Sequence, residues 1–282
     1  MLLARNSAAS SFPGLWTLPG GGVEQGEHPD DAVAREFIEE TGYEVRLDGL
    51  HSVTADVFRL PDGSLEHTDR IIYDVTAVGG NLLSEADGTT DLVDWAGPAE
   101  LADWPLMPFT AAQLGLSAEF PDTPDESEEI FRPLRVQRFG AYAAATAPDG
   151  RILLAKIAEG YPGEGRWHLP GGGTDHGETP QQGLARELIE ETSQHGRVTG
   201  LLGVSHRYDP AALGPEGVPV DWHVIRVVFR VRVDMPTEPL VTEAAGGSTA
   251  EAAWFTRAQV DGLALTELAR DAIDRIDQER AS

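Results

Sequence analysis

No cysteine occurs in the 282 residues of this chain, which excludes disulfides, thiolate metal sites and cysteine nucleophiles together. Basic charge is scarce: 21 Lys+Arg stand against 47 Asp+Glu, the formal net charge is -26, and Lys156 is the sole lysine. Such a surface repels an extended nucleic-acid backbone and an anionic membrane, so neither a nucleic-acid polymer nor a membrane is an expected partner. A small anionic substrate can still bind where metal ions screen it. Long apolar runs are also missing. Only Met1, Leu2, Leu3 and Ala4 precede Arg5, and no stretch is apolar enough to serve as a signal peptide or a membrane span, so a soluble cytoplasmic protein is expected.

What the chain does have is an internal repeat. WTLPGGGVEQGEHPDDAVAREFIEETGY (Trp16 to Tyr43) returns as WHLPGGGTDHGETPQQGLARELIEETSQ (Trp167 to Gln194) at an offset of 151 residues. The preceding segments, Met1 to Leu15 and Ile152 to Arg166, pair at the same offset. HTDRIIYDV (His67 to Val75) matches HVIRVVFRV (His223 to Val231) at 156, and TTDLVDW (Thr89 to Trp95) matches STAEAAW (Ser248 to Trp254) at 159. The drift places insertions in loops of the second copy, notably Asp209 to Pro219 with three prolines and two glycines. Two domains follow, 1–116 and 134–282, joined by an acidic, proline-containing linker at 117–133.

Within each copy a Leu/Ile-rich strand leads through a Pro/Gly loop to a glycine triplet, a helix, and β-branched alternating strands, of which RIIYDVTAV and VIRVVFRVRV are the clearest. Thr179, Pro180 and Gln182 form a start signal for the second helix, and Pro29, Asp30 and Asp31 mark the first. Phe139 to Arg151 reads as a strand and turn ahead of the second copy's first shared strand. The first copy has no such segment, so its sheet is expected to lack a leading strand or to take one from upstream, from the linker or from the other domain.

The helix carries the chemistry. Residues three and four apart share a helical face, so Glu36, Glu39 and Glu40 project together, as do Glu187, Glu190 and Glu191. Arg35 or Arg186 offsets part of the repulsion, and bound cations are needed to relieve the rest. Hard oxygen ligands of this kind suit Mg²⁺ or Mn²⁺, which keep waters and bridge to phosphates. Glu27 and Glu178 lie just before the helices and can reach the same ions. Glycine allows a tight turn, so that a carbonyl near Gly20 or Gly171 can face the metal and a diphosphate can approach Gly21, Gly22, Gly172 and Gly173. Trp16 and Trp167 are open to two readings, stacking on a base or burial beside the glycine loop. His168 and His176 read as incidental, and Asp91, Asp94 and Glu251 as surface acids rather than extra ligands or bases.

The cassette resembles the Nudix box. The first copy matches it through Gly21, Glu27, Arg35, Glu36, Phe37, Glu39, Glu40 and Gly42, and the second through Gly172, Glu178, Arg186, Glu187, Leu188, Glu190 and Glu191. The second departs at Ser193, where the box has glycine, and at Gln194, where it has an apolar residue, so its helix is expected to run on to Gly196. The resemblance implies an α/β/α sandwich around a mixed sheet in each half, the two arranged as an internal pseudo-dimer in a monomer or homodimer. It implies Mg²⁺- or Mn²⁺-dependent hydrolysis of a diphosphate bond in a nucleoside diphosphate linked to another moiety. Glu40 and Glu191 would be the main metal ligands. Glu36, Glu39, Glu187 and Glu190 would bind further metal or position the water, Arg35 and Arg186 would orient the glutamates, and the general base stays open. A second reading makes one domain catalytic and the other a ligand-sensing or structural dimer half. An isoprenyl diphosphate isomerase needs a cysteine that is missing here, and the repeat leaves no room for a DNA-binding domain.

Overall fold

The computed structural model describes residues 1–59, 65–83, 88–118, 135–213, 219–242 and 247–281. Two compact units result, Met1–Pro133 and Leu134–Ser282. Beyond Ala118 the expected linker lies outside the described residues. Among the described residues no helix is long and apolar enough to cross a membrane.

The first unit runs β1 (Leu2–Asn6), β2 (Trp16–Thr17), α1 (Pro29–Thr41), β3 (Tyr43–Arg59), β4 (Leu65–Gly80), β5 (Thr90–Trp95), α2 (Pro98–Leu101) and α3 (Pro108–Gln113). Strand alternation sends successive β1 side chains to opposite faces. Leu2 and Ala4 pack with Phe37 of α1 and with Val93, while Leu3 packs with Trp16, Leu106 and Ala111 on the α3 side. Helices therefore cover both faces of β1. The sheet itself is in two pieces, β2-β1-β5 and a separate β3-β4 hairpin.

The second unit runs β6 (Arg135–Thr146), β7 (Ile152–Ile157), β8 (Trp167–His168), β9 (Gly171–Gly173), α4 (Pro180–Thr192), β10 (Arg197–Leu213), β11 (Pro219–Arg232), β12 (Thr249–Phe255), α5 (Arg257–Val260) and α6 (Glu267–Ala281). Here one mixed sheet forms, in the order β10-β11-β6-β7-β12. β6 is the joint: it pairs parallel to β11 from Asp221↔Arg135 to Arg232↔Thr146, antiparallel to β9, and meets β7 at Thr146↔Ile152. Val228 packs with Leu268, Ala272 and Ile273 of α6, whereas the neighbouring Val227 and Phe229, 0% and 1% exposed, point to the other face.

The difference between the halves follows from β6. Among the described residues of the first unit no strand occupies its place, so β4 and β1 are not joined. Ile71 and Tyr73, which align with Val227 and Phe229 at the offset of 156, are only half-buried. Two other expectations are corrected. α4 stops at Thr192 instead of continuing to Gly196: Ser193 adopts a left-handed conformation (φ 55°) and its N–H closes the helix on the Ile189 carbonyl, as Gly42 (φ 72°) does on Ile38. The left-handed backbone costs a non-glycine residue roughly 1–2 kcal/mol, and the Ser193 hydroxyl offsets part of this by donating to the Leu240 carbonyl at 2.7 Å. Gln194 sits at an apolar position of the box without penalty, because its buried amide donates to the Thr192 carbonyl and Thr237 Oγ1 and accepts from the Thr237 N–H. Gly196 owes its identity to packing, since a Cβ there would lie 2.3 Å from Val231 Cγ1. The expected loop Asp209–Pro219 is also partly strand. β10 continues to Leu213 across a register shift between Asp209 and Ala212, and 214–218 lie outside the described residues.

Candidate active site

Each cassette helix begins where the sequence places its caps. Thr179 accepts from the Gln182 N–H while the Gln182 side chain reaches back, and in the first half His28 Nδ1 accepts from the Asp30 N–H. These caps set the helix phase, and with it the direction of the acids.

An arginine stands at the centre of each acidic cluster. Arg35 donates through Nε and Nη2 to the two Glu27 oxygens, both at 2.9 Å, through Nη1 to Glu36 at 2.7 Å and Glu39 at 3.1 Å, and through Nη2 to the Gly22 carbonyl at 3.0 Å. Arg186 repeats this on Glu178, Glu187, Glu190 and the Gly173 carbonyl. Arginine suits the position because its planar fork offers five donors and stays charged. The Arg35 hydrogen bonds hold the Glu27 carboxyl below its usual range, and Arg186 does the same for Glu178. Burial pushes Glu36 up, and its contact with Arg35 counters only part of that.

The fourth acid, the third on the helix, is held apart from the arginine. Glu40 is 6% exposed and Glu191 is 4% exposed. Glu40 accepts from the Gly20 N–H at 2.8 Å and from Thr90 Oγ1 at 2.8 Å, and Glu191 accepts from the Gly171 N–H at 2.8 Å and from Thr249 Oγ1. Ionised carboxylates this deep require such donors. Gly21 and Gly172 lie against the neighbouring acids: a Cβ on Gly21 would be 2.5 Å from Glu36 Cδ, and one on Gly172 would be 2.7 Å from Glu187 Oε1. The glycine loop and the helix thus form a cradle with no room for a side chain.

The chemistry of this donor set suits a divalent cation, although among the described residues no three such side chains stand together as a ready-made metal group. Counting Glu27, Glu36, Glu39 and Glu40 against Arg35, four carboxylates meet one cation, and the second half has the same balance. All the anionic donors are hard oxygens, and a glycine backbone lies beside them.

Other sequence candidates fall elsewhere. Trp16 and Trp167 are each 8% exposed; the first stacks on Trp104 at 4.2 Å and the second meets Phe255 edge-on at 4.7 Å, so both indoles belong to the cores. Asp91 pairs with Arg5, Asp94 accepts from the Trp95 N–H, and Glu251 lies 3.5 Å from Lys156. Sequence reasoning missed Thr90 and Thr249, although both stand at the shared offset of 159. It also passed over His168, which accepts or donates at 2.6 Å with Thr266 Oγ1 and meets Tyr142 edge-on.

Comparison with known proteins supplies the remaining findings. A sequence model of the NUDIX domain matches residues 1–118 and again residues 136–276. The nucleoside triphosphatase NudI of Escherichia fergusonii is 34% identical over 109 residues, covering 37% of this chain and 77% of the relative. The ADP-ribose pyrophosphatase of Methanocaldococcus jannaschii is 38% identical over 110 residues, covering 36% of this chain and 60% of the relative. Among solved structures, a MutT NUDIX hydrolase from Burkholderia pseudomallei aligns at 31% identity with a TM-score of 0.40, over 50% of this chain and 99% of that one.

Proposed function

The chain belongs to the NUDIX family through both of its halves, and from that premise we propose that it is a divalent-metal-dependent pyrophosphohydrolase that cleaves a phosphoanhydride bond in a nucleoside diphosphate linked to another group. One observation carries this reading: three glutamates gathered on one arginine, with a fourth buried against the glycine loop, are built twice with the same partners. The activities named for the relatives, a nucleoside triphosphatase and an ADP-ribose pyrophosphatase, support the substrate class.

In this reading Glu36, Glu40 and Glu27, with the backbone at Gly20, hold Mg²⁺ or Mn²⁺ in the first half, and Glu187, Glu191, Glu178 and Gly171 do so in the second. A bound divalent ion neutralises phosphate charge and acidifies water. The protein's own groups do the positioning. Glu40 and Glu191 are fixed by a backbone N–H and a threonine hydroxyl, so their second lone pairs keep one direction. Arg35 and Arg186 hold the remaining acids together, and Glu39 and Glu190, the most exposed of the set, keep carboxylate oxygen open to accept a proton from attacking water. Gly21, Gly22, Gly172 and Gly173 let a diphosphate approach the backbone.

A second reading is that only the second half turns over and the first is a ligand-sensing or structural half. The missing counterpart of β6 favours it, because among the described residues the strand that backs β9 in the second half has no equivalent behind the first glycine loop. The test is hydrolysis of nucleoside triphosphates, ADP-ribose and dinucleoside polyphosphates with Mg²⁺. The Glu40→Gln, Glu191→Gln double variant should lose activity by several orders of magnitude. Retained turnover would remove the proposed site, and the single variants assign it to one half or to both.

A further inference from the structure

A second group of polar side chains stands beside the glycine loop of the second half, on the sheet face that packs against α6. Tyr142 is in register with Gly171 of that loop. Its ring leans back over Gly140, where a Cβ would lie 3.0 Å from Cε2 and 3.3 Å from the hydroxyl. Gly140 in turn is in register with Arg226 on β11, and Arg226 with Ser205 on β10. The Tyr142 hydroxyl, Arg226 and Ser205 therefore form one row across three strands.

Several polar atoms of these groups have no hydrogen-bond partner among the described residues. Arg226 Nε and Ser205 Oγ are buried without a hydrogen bond, and no hydrogen bond to the Tyr142 hydroxyl is formed. Nη2 of Arg226 donates to the His206 carbonyl at 3.1 Å. No carboxylate pairs with Arg226: Glu267 and Asp271 of α6 act on it only at longer range, and Arg207 adds a second positive charge. Burial pulls the guanidinium below its ordinary pKa and pushes the tyrosine up. Unpaired buried donors are costly, and a row of them is what an absent acceptor leaves behind.

The first half closes the same position. Arg70 aligns with Arg226, but Arg70 Nε donates to Asp56 at 2.8 Å and its guanidinium lies 3.9 Å above the Phe109 ring. The registers Thr54↔Arg70 and Ser205↔Arg226 make Asp56 the first half's counterpart of Arg207, a reversal of charge at the matching position.

We propose that Arg226, Tyr142 and Ser205 form a specificity subsite, present only in the second half, that receives the oxygen-acceptor edge of the group joined to the diphosphate and so favours keto bases over amino bases. The inference rests on the hydrolase reading of that half. The donors offered are N–H and O–H groups, and they can pair with the exocyclic carbonyl of a keto base (O6 of guanine, O4 of uracil), where the amino group that adenine and cytosine carry at that position would oppose them. A buried polar site left unpaired by the wrong substrate discriminates strongly.

The test uses the full chain carrying Glu40→Gln, so that only the second half turns over, with GTP and UTP compared against ATP and CTP. The keto-to-amino ratio of kcat/KM should be about tenfold or more. Arg226→Gln should bring it close to one. Arg207→Asp, which leaves Arg226 in place and supplies the first half's carboxylate, should do the same. The ratio, unlike absolute activity, is not moved by a merely structural defect. If the Glu40→Gln chain hydrolyses none of the four and neither ADP-ribose nor a dinucleoside polyphosphate, the hydrolase reading of the second half fails; if it hydrolyses only the latter two, the subsite is overturned while the hydrolase reading stands. If it hydrolyses the four without preference, or if Arg207→Asp and Arg226→Gln both leave the ratio unchanged, the subsite is overturned while the hydrolase reading stands.

Discussion

Alanine at Gly172 separates catalytic geometry from stability. The new Cβ would lie 2.7 Å from Glu187 Oε1 and 2.8 Å from Cδ, against an ordinary separation of about 3.4 Å or more, so the carboxylate must retreat by roughly 0.7 Å. The tip of a flexible side chain moves, not the backbone. The stability at risk is the 2.8 Å contact from Arg186 to Glu187, and a hydrogen bond between charged groups contributes about 1.5–3 kcal/mol. Partial exposure reduces that toward about 1 kcal/mol, and the Gly→Ala change restores about 0.4–1 kcal/mol by restricting the unfolded chain. The net change is therefore near zero. Activity responds differently, because misplacement by about 1 Å can cost about 100-fold in rate. The assay is hydrolysis by Glu40→Gln, Gly172→Ala, beside thermal unfolding. Gly49→Ala in the same Glu40→Gln chain is the control, since a Cβ there meets nothing within 4 Å and Gly49 lies outside the site. Turnover within about threefold of the parent would refute the reasoning, and so would a large fall in melting temperature.

Two further outcomes follow from the same structure. Fusing a copy of Arg135–Arg151 ahead of Met1 should add a strand between β4 and β1, and hydrogen exchange at the Ile71–Val75 amides should slow; unchanged exchange would show that the gap does not accept it. Burial holds His168 down at about 4 against its ordinary 6.5, so between those values an unfolded chain takes up a proton that the folded chain does not. Stability should accordingly fall as pH drops from about 6.5 toward 4, and His168→Thr, the residue at the matching position of the first half, should flatten that limb in pH-dependent denaturation. An equally steep limb in the variant would assign it to other groups.

Much of the site was legible because its grammar is local. The i, i+3, i+4 spacing of Glu36, Glu39 and Glu40, the capping box at Thr179 and the offset of 151 depend only on helix geometry and on self-comparison. The misreadings came from residues whose roles are set at a distance. Ser193 looked like a lost helix stop, yet a hydroxyl bond to Leu240 and the Gln194 bonds to Thr237 hold the turn from 43 or more residues away. His168 looked incidental because Thr266 and Tyr142 are remote in sequence. The Asp209–Pro219 stretch looked like loop because proline content says nothing of a partner strand that continues the ladder.

The sequence by itself determined the repeat, the identity of the acids, the arginine set among them and the absence of thiol chemistry, since each follows from composition or from spacing along one helix. The tertiary structure decided that Arg35 and Arg186 sit between acids from the loop and the helix. It decided that Thr90 and Thr249 anchor the buried Glu40 and Glu191, and that β6 unites one sheet while the other is divided. It also decided that Arg70 is neutralised by Asp56 while the matching Arg226 has no paired carboxylate and feels the positive charge of Arg207. Those are matters of register between strands, and register is set by long-range pairing that no local pattern encodes.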